Sequence, residues 1–267
     1  MSIYQTLRDE DGRSHLRLLR LQPGDADDDI ECTLETVTYE DSDNRYEAIS
    51  YCWGDAKDTV PLACNGVQTL VTRNLHGALR RFRPPRGTAA RSLWADALCI
   101  NQQNNEKKGK QVDRMGEVFA NASRVLVWLG SNVDDTTAVD TFAMICEINQ
   151  YLDKVFVQCQ KNFKIMPILS KPYPICLEEK KWLGVAALLN SPSFHRVWTI
   201  QVIYILGISK FNYLIHGQEA ALARECIVFW GNAEIDAADV VELCLLCGFE
   251  TDLRNMVQNF AHAPVVR

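Results

Sequence analysis

The chain has 267 residues, 47% hydrophobic and 23% charged, a balance typical of globular proteins with ample apolar material for a core. Its net charge of −6 and pI near 5.4 argue against a general nucleic-acid or anionic-membrane surface, because both want basic stripes. The opening MSIYQTLRDEDGR lacks an apolar signal core, and no apolar run reaches the roughly 18 residues of a bilayer span.

Residues 1–29 read as polar, with DADDD at 25–29 a solvated loop. Ile30–Tyr39 alternates through Ile30, Cys32 and Leu34, as a half-buried strand does. YEAISY at 46–51 is a short strand closed by the turn signal CWGD. VPLACNGVQTLV at 60–71 places Asn65-Gly66 between two apolar runs, the strongest short hairpin signal, since both turn positions need positive φ. Leu75, Leu79 and Phe82 recur at helical spacing over 74–82, and Pro84 and Pro85 end that helix.

LWADALCI at 93–100 is nearly continuous and apolar, as expected of a strand buried on both faces. NQQNNEKKGK reads as a polar loop entering a helix whose stripe is Val112, Met115, Val118 and Ala122. No aromatic residues interleave with EKKGK, so it is a solvated helix start rather than a nucleic-acid patch. VLVWL at 125–129 is a second buried strand, closed by Gly130. A long helix follows at 136–157, with Phe142, Ile145, Ile148, Leu152 and Val155 on one face. Residues 160–178 hold three prolines and read as a loop, and 182–189 as a helix. Ser191 and Pro192 open a further helix toward Trp198. Residues 226–229 form a strand, and Asp236 caps a last helix over 237–246. Strands separated by helices predict a mostly parallel α/β sheet flanked by helices, with the hairpin an antiparallel addition.

Most of the ten cysteines lie in apolar runs such as ALCI and ECIVFW, the setting of buried free thiols in a reduced, cytoplasmic protein. Cys244 and Cys247 form a CxxC without a second ligand pair, which favours helix packing over metal. A Gly-rich phosphate loop, a Ser-His-Asp order and HExxH are all missing. His195, beside an aromatic run, reads as structural, and Trp128 and Trp182 as packing residues.

Three blocks in order, YEAISYCWGD (46–55), LWADALCINQQNNEKKGKQVDRMGEVFANASRVLVWLG (93–130) and FHRVWTIQ (194–201), resemble the fungal heterokaryon-incompatibility (HET) domain. That family is in turn similar to the Toll/interleukin receptor (TIR) domain, which implies a flavodoxin-like sheet. In that resemblance AISY is the first core strand, LWADA the second and VLVWL the third. Residues 1–45 are then an extension with one strand, 46–250 the HET domain, and 251–267 a C-terminal tail. Family members are commonly longer, so the tail can be a truncated end.

Some TIR domains cleave NAD with a glutamate one helical turn beyond a tryptophan. The HET pattern there is Trp-Thr-x-Gln-Glu, but after Trp198-Thr199-Ile200-Gln201 this chain has Val202. Deleting 202–218 joins RVWTIQ to EAALARECIVFWG and restores the pattern. The segment therefore reads as a retained intron, with a genuine loop insertion the plainer alternative. Without it, Glu219 would stand four positions beyond Trp198 on one helix face.

The resemblance implies NAD as substrate, no cofactor or metal, and Glu219 as the catalytic carboxylate. The alternative for Glu219 is an ordinary surface position. Ser50, Tyr51, Trp53, Gly54, Asp96, Asn101, Gln102, Arg196 and Trp198 would line the nucleotide site. Several have a plainer reading as well. Trp53 can belong to the core, Asn101 and Gln102 can cap loop backbone, Gly54 serves its turn, and Asp96 can pair with Arg196. Two functions stand at this point: an effector of non-self recognition and cell death that hydrolyses NAD, or a non-enzymatic self-associating module. A third outcome is a chain inactivated by 202–218. The expected partners are further copies of the domain and an incompatibility partner protein, with neither nucleic acid nor membrane.

Overall fold

The computed structural model describes residues 3–4, 14–43, 45–158, 179–193 and 225–249. The chain packs as two compact units, Met1–Ser131 and Asn132–Arg267.

Among the described residues, the first unit holds seven strands in the order β5-β4-β2-β1-β6-β3-β7. They are β1 His15–Leu21, β2 Glu31–Thr38, β3 Glu47–Tyr51, β4 Thr59–Cys64, β5 Val67–Thr72, β6 Arg91–Trp94 and β7 Arg124–Trp128. Its helices are α1 Arg73–Phe82, α2 Asp96–Cys99, α3 Asn105–Asp113 and α4 Met115–Asn121. The expected hairpin is present: β4 and β5 pair antiparallel, and Asn65 (φ 52°) and Gly66 (φ 72°) supply both left-handed positions.

Three strands form a parallel core. β3 pairs with β6 through Glu47↔Leu93 and Ala48↔Trp94, and with β7 through Glu47↔Arg124 to Tyr51↔Trp128. Ala48 and Tyr51 are three apart on one strand, so Trp94 and Trp128 point to opposite faces. On one face Phe82 of α1 meets Trp128 edge to face at 6.0 Å. On the other, Phe119 of α4 meets Trp94 at 5.6 Å, and Tyr46 donates to the Val118 carbonyl at 2.6 Å. Each buried aromatic contributes roughly 1.5–3 kcal/mol through lost apolar exposure alone.

Several expectations need correction. The sheet is mixed rather than mostly parallel, because β1 runs antiparallel to both β2 and β6. β1 falls in the segment read as polar: HLRLLRL buries Leu16, Leu18, Leu19 and Leu21 on both faces and so has no period-2 signature. The loop at 25–29 is solvated as expected, with Arg83 donating to the Asp28 carbonyl at 2.9 Å and Arg86 to Asp28 Oδ2 at 2.6 Å. LWADALCI is not one strand. β6 ends at Trp94, and the apolar Ala97–Cys99 belongs to α2. The polar 105–110 is already helical, and the expected single helix breaks at Arg114 into α3 and α4.

The second unit comprises α5 Asp135–Gln158, α6 Glu179–Leu189, an antiparallel hairpin of β8 Glu225–Trp230 and β9 Ala233–Asp236, and α7 Ala237–Phe249. Phe142, Ile145 and Ile148 are buried along α5, as their spacing predicts, and Trp182 is buried on α6. Asp236 Oδ1 accepts from the Ala238 amide at 2.9 Å and opens α7 as expected, while β9 had no sequence signal. Cys244 and Cys247 both lie on α7. The loop at 160–178, the segment 202–218 and the helix toward Trp198 lie outside the described residues, apart from Ser191–Ser193 at its start.

Candidate functional site

The three parallel strands present their carboxyl ends on one edge, the side where ligands of open α/β sheets bind. β3 ends at Tyr51, and the chain turns through Cys52, Trp53 and Gly54. Gly54 has φ +76°, so the turn needs glycine. The turn is held from α1, whose first turn is capped by Thr72. Asn74 Nδ2 donates to the Cys52 carbonyl at 2.6 Å, and its Oδ1 accepts from Trp128 Nε1 at 2.9 Å. One amide thus ties the loop after β3 to the end of β7.

At the end of β6, Asp96 is 9% exposed. Its Oδ1 accepts from the Ala97 amide at 2.8 Å. Trp53 Nε1 donates to both carboxylate oxygens, at 3.0 and 2.9 Å. This indole–carboxylate lock joins the loops after β3 and β6. It also explains why the chain leaves the β6 direction here: the carboxylate accepts the first α2 amide and the indole together.

Gln102 Nε2 donates to the Asp96 carbonyl at 3.0 Å, while its buried Oε1 has no hydrogen-bond partner among the described residues. Asn101 Oδ1 accepts from the Gln103 amide at 3.1 Å, the loop-capping role.

Beside the lock lies a cleft of about 610 Å³, within the usual range for small-molecule sites. Its lining includes Trp53, Ala97, Leu98 and Gln102, residues 67–72 of β5, and Ile3 and Tyr4. None of these described lining residues is charged. Tyr4 donates to the Ile100 carbonyl at 3.2 Å, and burial, with Cys99 and Cys64 adding to it, pushes its phenol up to about 12. It therefore stays a donor across the physiological range.

Of the residues expected at the site, Trp53 and Gln102 line the cleft, and Asp96 stands behind the Trp53 indole. Ser50 and Tyr51 are buried in β3, at 7% and 2% exposure, and Gly54 serves the turn. Asn101 caps backbone. Arg196, Trp198 and Glu219 lie outside the described residues. Asn74 and the β5 wall were missed. The wall was within reach, because the Asn-Gly turn fixes β5 and a wall must face something; nothing in the sequence pairs Asn74 with Trp128.

An α/β domain with a parallel-strand edge bordered by an uncharged cleft is the class that fold and site define. The chain belongs to the heterokaryon incompatibility (HET) family, whose model matches residues 46–201, a span that begins one residue before β3. It is also 33% identical to heterokaryon incompatibility protein 6, OR allele, of Neurospora crassa, over an alignment of 259 positions covering 84% of this chain. The chain spans 38% of that relative's length. No solved structure matches.

Proposed function

We propose that this chain is an effector domain of fungal heterokaryon incompatibility, acting in non-self recognition and cell death by hydrolysing NAD at the carboxyl edge of β3, β6 and β7. The observation that carries this reading is the lock between Trp53 and Asp96 beside the cleft, on the edge where open α/β sheets bind nucleotides. The parallel trio supports it: in chain order the strands β6-β3-β7 run second-first-third, the start of the flavodoxin-like order expected of a TIR-like domain. The Trp53-lined cleft suits a flat ring, with Gln102 Oε1 offering an acceptor to an amide N–H.

In this reading the bond between the ribose C1′ and the nicotinamide nitrogen breaks and water adds at C1′. A carboxylate near the ribose, assigned to Glu219, stabilises the positive charge that develops there. The absence of charge among the described cleft residues favours a second reading, a non-enzymatic self-associating module, because phosphates would meet no cation there.

The test is nicotinamide release at high protein concentration by the chain as given and by a form lacking 202–218, each with and without Glu219→Gln. Release by either form that falls at least about a hundredfold on Glu219→Gln supports the enzyme, on the scale of one lost charge-stabilising group. No release by either form leaves the interaction module.

A further inference from the structure

We propose that Cys32 and Cys64 are a reversible dithiol that a hydroperoxide closes to a disulfide, clamping the β4–β5 hairpin onto the rest of its sheet. The two cysteines are register partners on the parallel strands β2 and β4. Directly paired residues on neighbouring strands share a face, and strands lie about 4.8 Å apart, within the range of Cα separations that a disulfide spans. Both thiols are free, with exposures of 2% and 0%.

Their position gives the bond a consequence. β4 is joined to β2 by only two register pairs, Glu31↔Ala63 and Cys32↔Cys64. The other strand of the hairpin, β5, walls the cleft. The thiols therefore sit in the seam that fixes one wall of the cleft to the sheet. Asn65, next to Cys64, donates through Nδ2 to the Ile3 carbonyl at 2.8 Å, so residues bordering the cleft also lie beside the pair.

One thiol of the pair, as its thiolate, takes one peroxide oxygen to become a sulfenic acid, and the other peroxide oxygen leaves as water after proton uptake. The partner sulfur then displaces the sulfenic hydroxyl, which leaves as a second water with the partner thiol's proton, and the S–S bond forms. Two thiols are oxidised and one hydrogen peroxide is reduced to two waters.

Trypsin isolates the participants, because fragments 21–45, 58–73 and 92–107 each carry one cysteine, Cys32, Cys64 and Cys99 respectively. The folded chain is treated with hydrogen peroxide, its remaining thiols are blocked, and the fragments are mapped by mass spectrometry without reduction. The expected result is a 21–45/58–73 cross-link that dithiothreitol reverses, with slowed hydrogen exchange over 59–72 in the oxidised form. In Cys64→Ala, exchange over 59–72 should be unchanged by the same treatment. A cross-link to 92–107 instead, a pair formed only after urea unfolding, or the same slowing of exchange over 59–72 in Cys64→Ala would each overturn the proposal. Should Cys64→Ala not fold, the mapping of the parent chain decides alone.

Discussion

Replacing Asn74 by alanine tests how the site edge is built. The change removes two good hydrogen bonds at once, the 2.6 Å bond to the Cys52 carbonyl and the 2.9 Å bond from Trp128 Nε1. Trp128 is 2% exposed, so water does not readily replace the lost acceptor. A buried polar group deprived of its partner costs about 1–3 kcal/mol, and Cys52 is half-buried, so the two losses together come to about 2–4 kcal/mol. The volume lost is small and adds less. Asn74→Asp keeps an acceptor for Trp128 but turns a carboxylate oxygen toward the Cys52 carbonyl, so it should not restore the parent. Urea unfolding followed by circular dichroism reads the stability. Near-ultraviolet circular dichroism should report the altered Trp128 environment in both variants. An Asn74→Ala chain within about 0.5 kcal/mol of the parent, the range of an ordinary surface substitution, would refute the view that this amide ties β3 to β7.

Three further outcomes follow from the same reasoning. Gly184→Ala on α6 drives a methyl into Thr141 Oγ1 of α5, an overpacking that should cost about 1–3 kcal/mol in thermal or urea unfolding, whereas Gly66, whose missing Cβ has open space, should respond only to its positive φ. Glu47 bonds Arg91 and Arg124 at the amino-terminal end of β3. Burial raises its pKa, but the two guanidiniums outweigh that, and the net shift is downward. A carboxyl depressed in the folded state stabilises above its unfolded pKa, and that contribution is lost as pH falls through the folded value. Glu47→Gln should therefore lower stability at pH 7 and flatten the loss between about pH 5 and 3, measured by acid titration of the folded fraction. Burial pushes the Cys99 and Cys226 thiols up to about 12, while Cys244 is exposed. Iodoacetamide at pH 8 should thus label Cys244 well before Cys99 or Cys226 by peptide mapping.

The elements legible in the sequence were those whose local chemistry and burial agree. Asn65-Gly66 demanded its turn, and the stripes Leu75–Phe82 and Phe142–Ile148 their helices. β1 was illegible because HLRLLRL is buried on both faces, and its Arg17 is only 4% exposed, donating to the Cys99 carbonyl at 3.3 Å. β6 and α2 merged in the reading because both are apolar; the break between them depends on Asp96 finding Trp53, 43 residues away in the chain. Trp53, Gln102 and Asp96 were legible as single residues. Their arrangement was not, since it rests on long-range hydrogen bonds that no spacing encodes. Pairing of Asp96 with Arg196 falls outside the described residues; among the described residues an indole N–H holds its carboxylate.

The most direct measurement is calorimetric titration of the chain with NAD, run beside Thr69→Trp, which fills the cleft from the β5 wall without touching Asp96. Saturable binding to the parent that disappears in Thr69→Trp is the expected result. No heat of binding from the parent, or equal binding by the filled variant, would contradict a nucleotide site at this edge.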